Sequence, residues 1–321
     1  MRGKDLILAI FMGVILPSMM FTVAEKLLPT EKVPSVQGPS AAEQTQAEIS
    51  PPVLTDHLIA VLQADGTIYN MELETYLVGV VLGEMPLSFN IEALKAQAVV
   101  ARTYTLRRST VSKKHPGGAV CVNSACCQAY CAPEVFGSKV LLEKAKTAVS
   151  ETAGQVVTYN GALIEATYFS CSGGRTEDAV AVWGEEVPYL QAVDSPGEES
   201  AAHYTDTINF TAEEFARRLG LSGKGDPAMW IGSETYTAGG GVDKITIAGK
   251  VFRGTELRQK LELPSTLFSV TAAGDVVKIV TKGFGHRVGM SQYGAEAMAA
   301  NGSSYREILT HYYPGTSLTD Y

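Results

Sequence analysis

From Leu6 to Ala24 the chain is apolar except for Pro17, Ser18 and Thr22, and Arg2 and Lys4 precede the run. At about 1.5 Å of rise per residue, a helix of this length just crosses a hydrocarbon core of about 30 Å. Basic residues ahead of it keep the N-terminus inside. The pattern predicts a retained transmembrane anchor over residues 1–26; a signal peptide cleaved after "TVA" at 22–24 is the alternative. Either reading exports the rest of the chain. Residues 27–52, rich in Pro, Ser, Gln and Glu, show no apolar period and predict a disordered linker to a folded region over 53–321.

Within that region the periods alternate between two and 3.6 residues. "HLIAVLQADGTIYNMEL" predicts two strands around Asp65-Gly66. "ETYLVGVVLGEM" is apolar until Pro86, and "NIEALKAQAVVARTYTLRRS" predicts a long helix over 90–108 with Asn90 as N-cap. Residues 112–137 are irregular and hold four of the five cysteines. "GQVVTYNGALIEATYFS" predicts a hairpin around Asn160-Gly161 that runs into the Gly-rich "CSGGRTE". Thr211 and Glu214 predict a capping box with Gly220 as stop, inside a smaller inserted α/β subdomain over 204–265. "LFSVTAAGDVVKIVTKG" predicts a further hairpin. Two helices come after it, one opened by Ser291 and stopped at Asn301-Gly302, one capped by Ser304 and Glu307 and ended by Pro314. The fold class expected is α+β: hairpins and helices around a groove, behind the N-terminal transmembrane helix.

Composition narrows the classes. The 321 residues are 45% hydrophobic and 19% charged, so a packed core is expected. A net charge of -8 argues against general nucleic-acid binding. No GxxxxGK[ST] or GxGxxG phosphate loop occurs, and the glycines at 239–241 read as a loop.

Three stretches carry candidate chemistry. In "VLGEMPLSFN" a single acid, Glu84, lies at a short elbow before the helix, among Val80, Val81, Leu82 and Met85. Taken by itself it reads as a solvated turn residue. In "GFGHRVGMSQYGA" the glycines at 283, 285 and 289 permit tight turns around His286 and Arg287. Ser291 then opens a helix whose N-terminus suits an anionic or oxygen-rich ligand; a packed His286 and plain turns are equally open. In "HPGGAVCVNSACCQAYC", His115, Cys121 and Cys127 are spaced by six and six, with Cys126 and Cys131 beside the last. One His and two thiolates make a credible zinc site; disulfides are the rival in an exported segment, although five cysteines leave one over.

"GEMP...ALKAQAVVARTY", "FSCSGGRTE", "VWGEEVPYL" and "GFGHRVGMSQYGA" occur in this order, and together they resemble the stage II sporulation protein D family. The resemblance covers roughly residues 55–321. It implies a membrane-anchored lytic transglycosylase that cuts peptidoglycan glycan strands between N-acetylmuramic acid and N-acetylglucosamine. It implies strands already stripped of peptide by a partner amidase, and work beside other membrane proteins during forespore engulfment, from the mother-cell membrane facing the septal space. The catalytic glutamate falls on Glu84. Such an enzyme leaves a 1,6-anhydro sugar because the muramic 6-hydroxyl attacks its own anomeric carbon, so one carboxyl group can serve as acid and then base. Lys95, Arg102 and Tyr104 lie on the next helix, with Arg102 as a candidate fork for the lactyl carboxylate or, equally, a structural ion pair. Ser170, Ser172, Gly173 and Gly174 belong to the family's small-residue loop. Cys171, where a small hydroxyl residue is expected, reads as a packed thiol. Tyr189, Gln292 and Tyr293 are candidates for stacking on or hydrogen bonding to sugar, as is His286 with Ser291. The resemblance adds weight to zinc on His115, Cys121 and Cys127, pinning the irregular segment so that Gln128 and Tyr130 face the glycan. The alternatives are a zinc-assisted glycan hydrolase, a non-catalytic glycan-binding module that stimulates an amidase and, more weakly, a Cys171–His286 pair.

Overall fold

The computed structural model describes residues 57–321 apart from Ser112. The expected anchor and linker lie outside the described residues, among which no helix is long and apolar enough to cross a membrane. The fold is mixed α and β, and it is built around a largely buried helical pair. Strands β1 (Leu58–Leu62) and β2 (Ile68–Glu72) form the expected antiparallel hairpin. The run after it, apolar on every side, is a helix, α1 (Leu73–Glu84), with Glu72 as N-cap. α2 (Ile91–Thr110) starts from Asn90, whose side chain accepts the Glu92 N–H. A helix apolar all round must be enclosed. Leu77, Val80 and Val81 of α1 and Ala96, Val99 and Val100 of α2 are accordingly buried.

The remaining elements enclose that pair. The irregular segment contributes β3 (Val120–Cys121), parallel to β1. A helix that the residue pattern did not announce, α3 (Lys139–Ser150), packs on both α1 and α2. β4 (Gln155–Tyr159) and β5 (Ala162–Leu163) turn at Asn160 and Gly161, both at positive φ, as a tight hairpin requires. β6 (Tyr168–Phe169) leads to the Gly-rich loop and to a short helix, α4 (Ala179–Trp183).

A second apolar cluster is assembled from β7 (Thr205–Thr211), α5 (Ala212–Leu219), β8 (Ile231–Tyr236), β9 (Val242–Ile247), β10 (Lys250–Arg253), α6 (Gly254–Leu261), β11 (Phe268–Ala273) and β12 (Val276–Lys282). The expected bounds of 204–265 leave out β11 and β12, yet these supply Phe268, Val270, Val277 and Ile279 to the same cluster. The reason is register: β12 pairs along its whole length with β7, so the C-terminal hairpin closes the sheet that the subdomain opens.

The chain then returns to the first cluster. β13 (Met290–Ser291) runs parallel to β6, and α7 (Gln292–Ala300), α8 (Tyr305–Tyr312) and β14 (Ser317–Asp320) complete it. The Ser304/Glu307 capping box forms as expected. Buried Arg287 fastens the junction. Its Nε donates to the Ser172 carbonyl at 2.8 Å, and its Nη2 donates to those of Arg175 and Gly239 at 2.8 and 2.7 Å.

Candidate functional site

Glu84 is the last residue of α1, half-buried, and three segments far apart in sequence converge on it. The Ala129 N–H donates to Oε1 at 2.5 Å and the Tyr168 hydroxyl to the same oxygen at 3.0 Å. The Gln292 side-chain amide donates to Oε2 at 3.4 Å and also to Gln97 Oε1 at 3.4 Å. Burial raises the Glu84 pKa above the ordinary carboxylate value, and the three hydrogen bonds offset only part of that. The groups acting on it are one backbone amide, one phenol and one carboxamide, with no second carboxylate among them. Burial, then the neighbouring Glu84 charge, holds the Tyr168 hydroxyl well above its usual pKa, so it stays a donor.

The Ala129 contact depends on two glycines one turn apart. A Cβ on Gly79 would stand 2.2 Å from the Tyr130 ring, and one on Gly83 would stand 2.8 Å from the Tyr130 nitrogen. With only hydrogens there, residues 129–131 lie flat on α1. Cys131 N–H bonds the Gly79 carbonyl at 2.9 Å, and the Tyr130 ring stacks on Tyr76 with centroids 5.6 Å apart.

Just upstream, His115, Cys121, Cys126 and Cys127 bring one ligand atom each within 4.8 Å of one another. The sulfurs of Cys126 and Cys127 are 3.4 and 3.5 Å from His115 Nε2. The cluster could hold a metal ion. Four donors, three of them thiols, fit the closed tetrahedral set of a structural site, which leaves no open position. Cys126 thus joins the expected three, whereas Cys131 is not part of the cluster. All five cysteines are free in this structure.

Several expected ligand residues are engaged elsewhere. Arg102 is fully buried, and its fork is closed on Glu74 at 2.7 and 2.5 Å, with further bonds to the Gln155 and Val149 carbonyls. The ion-pair reading therefore replaces the lactyl fork. Lys95 pairs with Glu92 and Glu151 at 2.8 and 2.6 Å. Tyr104 is buried, with the Arg108 guanidinium 5.0 Å over its ring. Gln128 is buried too, donating to Tyr76 and Thr105 rather than facing a groove. Ser172 and Gly173 give their N–H groups to buried Glu198, at 2.7 and 3.0 Å, so the small-residue loop is a carboxylate cradle inside the protein. Cys171 is buried against the same carboxylate, 3.1 Å from it, and burial pushes its pKa up to about 12. The Tyr189 hydroxyl accepts the Glu165 N–H at 3.0 Å. Ser291 caps α7 by accepting the Gly294 N–H, and the Ser170 carbonyl accepts the Tyr293 N–H. The Tyr293 ring meets Phe89 edge-on at 5.0 Å, beside the elbow.

His286 accepts the Val288 N–H at Nδ1, at 3.1 Å, and is tied to the Tyr168 backbone. Burial pushes its pKa down to about 4, so it is neutral, and the Cys171 thiol donates to Glu198.

Of the expected site, Glu84 and Gln292 meet directly, with Tyr130 alongside. Tyr168 and Gln97 are members that the sequence pattern did not single out. Gln97 carried a signal: it is a lone uncharged polar residue inside the apolar "ALKAQAVVA" of a helix that is otherwise enclosed. Tyr168 carried none, since an aromatic residue in a short strand is ordinary core.

Similarity to known proteins falls on these same features. A family model described as "Stage II sporulation protein" matches residues 63–159, which include Glu84, Gln97 and the whole His/Cys cluster. A stage II sporulation protein D of Bacillus subtilis (strain 168) is 40% identical over 266 residues, covering 80% of this chain and 77% of the relative. That of Bacillus amyloliquefaciens is 39% identical over 264 residues, covering 79% and 76%. An amidase enhancer of Bacillus subtilis (strain 168) is 30% identical over 302 residues, covering 76% of this chain but 40% of its own length.

Proposed function

The chain belongs to the stage II sporulation protein D family, and on that premise we propose that it is a peptidoglycan lytic transglycosylase acting through Glu84 alone. One observation carries the reading: Glu84 is a half-buried carboxyl of raised pKa, held by three neutral groups and lacking an acidic partner. A hydrolase working by two carboxylates needs the second within about 5–10 Å to activate water or attack the sugar. An intramolecular reaction does not. Glu84 gives its proton to the glycosidic oxygen as the bond from the muramic anomeric carbon breaks. The 6-hydroxyl oxygen of the same sugar bonds to that carbon, and its proton passes to the Glu84 carboxylate. The enzyme returns to its starting state and the sugar ends in a 1,6-anhydro ring.

His115, Cys121, Cys126 and Cys127 would hold zinc, whose contribution is to fix the segment that carries Ala129 and Tyr130. Four protein donors speak against a zinc-activated water, and so against the hydrolase alternative. The substrate in this reading is glycan freed of stem peptides by an amidase, met outside the cell membrane during engulfment. The 30% identity to an amidase enhancer supports a second reading, a glycan-binding module that stimulates an amidase without cutting.

Incubating the chain and its Glu84→Gln variant with peptide-free glycan separates these readings by the mass of the product ends. Anhydro-muramic ends from the parent and none from the variant are expected. Reducing ends, or an active variant, would remove Glu84 from the acid's role. Two inert proteins that bind glycan and speed an amidase would favour the module.

A further inference from the structure

The two oxygens of Glu84 are not equivalent. Oε1 accepts from two donors, the Ala129 N–H at 2.5 Å and the Tyr168 hydroxyl at 3.0 Å. The backbone amide has no rotor, whereas the Tyr168 hydroxyl can turn. A proton on Oε1 would meet the fixed Ala129 N–H at 2.5 Å, so the carboxyl proton belongs on Oε2.

Oε2 has one partner, Gln292, through a 3.4 Å contact. Behind Gln292 stands Gln97, fully buried on α2, accepting from it at 3.4 Å, while the Gln97 Nε2 is buried with no hydrogen-bond partner. An orphaned buried amide is unfavourable and calls for a reason. The two ends of a carboxamide have the same shape, and a half-turn exchanges donor for acceptor.

We propose that Gln97 and Gln292 form a paired amide switch that tracks the proton on Glu84 Oε2. With Glu84 ionised, Gln292 donates to Oε2 and to Gln97 Oε1, and the Gln97 amino group has no partner. With Oε2 protonated, that arrangement would set two donors face to face. A half-turn of both amides gives Oε2–H a carbonyl to donate to and supplies that carbonyl with a second donor, the Gln97 amino group. The orphan then becomes a carbonyl oxygen, the milder of the two to leave unpaired. The pair thus favours the protonated form without blocking the ionised one. In the transglycosylase reading, on which the switch's catalytic use rests, the carboxyl must pass through both forms in each cycle. Gln97 reaches Glu84 only through Gln292 and is a positioning residue.

The groups facing Glu84 are few. Tyr168 comes from β6, Gln292 from α7, Gln97 from α2, and Ala129 with Tyr130 from the 129–131 segment. Tyr76 and Tyr104 act on Tyr168 from behind it. Glu296, one turn beyond Gln292, is held by the Asn90 N–H at 2.5 Å.

Gln97→Met keeps the volume and removes both polar ends. In the full chain, the infrared carboxyl band missing from Glu84→Gln reports the Glu84 proton with no turnover. Its titration midpoint is expected to fall by about half a pH unit or more in Gln97→Met, roughly a threefold or greater loss of protonated form above the midpoint. On peptide-free glycan kcat is expected to drop about tenfold, with KM changed less than about twofold. Should Gln97→Met not fold, as circular dichroism would show, Gln97→Leu serves with the same expectation. An unmoved midpoint overturns the switch, whatever the activity of Glu84→Gln. A lowered midpoint beside a fully active Glu84→Gln leaves the switch standing and overturns the catalytic reading alone.

Discussion

Glu84 works against the fold that holds it. Its pKa is higher in the folded chain than the ordinary 4.5, so the folded state prefers it neutral. Any stability from the neutral form is therefore complete below the unfolded value and is lost as pH rises through the folded one. Glu84→Gln is expected to melt at a higher temperature than the parent at pH 8, with the gap closing as the pH falls below about 4.5. Differential scanning calorimetry at the two pH values checks this, and a gap that does not depend on pH would deny the raised pKa. His286 has the opposite sign: with its pKa pushed down to about 4, its contribution is complete above 6.5 and is lost as pH falls towards 4. At this scale the sequence was half legible. The family motif singled out Glu84, whose residues alone read as a solvated turn, but its donors stayed hidden, because Ala129 offers a backbone group that any residue has.

The irregular segment owes its shape to side-chain and backbone contacts rather than to period. Residues 112–137 hold one two-residue strand and two short 3-10 turns, and little else. Their order is carried by the His/Cys cluster on one side and by Gly79 and Gly83 on the other. Chelation, or Cys126→Ser in the fourth position, is expected to speed hydrogen exchange at the Ala129 amide and to lower glycan cleavage with it. Exchange-mass spectrometry and product counting measure the two, and an Ala129 amide that stays protected without metal would uncouple cluster from acid. Elements with strong local signals were legible: the Asn90 N-cap, the Asn160-Gly161 turn and the Ser304/Glu307 box all stand where the side-chain chemistry put them. α1 was harder, since an apolar run enclosed on every face shows no period. The His115, Cys121 and Cys127 spacing pointed to the cluster but not to Cys126, which becomes a fourth donor only through the turn that brings two adjacent thiols to one histidine.

Across the whole molecule, buried charge sits at the joints between elements. Arg102 joins α2 to Glu74 of α1 and to the carbonyls that end α3 and begin β4. Arg102→Ala would leave Glu74 without its partner, and a stability loss of about 3–5 kcal/mol is expected by urea unfolding. A loss under about 1 kcal/mol together with a raised KM for glycan would return Arg102 to the groove. These joints were illegible because a sequence shows that an arginine is present, not which distant carboxylate closes on it. The acid itself has the same long reach. Its three hydrogen-bond donors lie 45, 84 and 208 residues further along the chain. A glutamate assembled from such distances has a timetable. A chain that leaves the ribosome, or crosses a membrane, amino end first exposes Glu84 early but completes its setting only when α7 arrives. Until then the residue is an ordinary solvated carboxylate, ionised and unable to act as an acid. In the transglycosylase reading, the acid is therefore assembled only once α7 is in place.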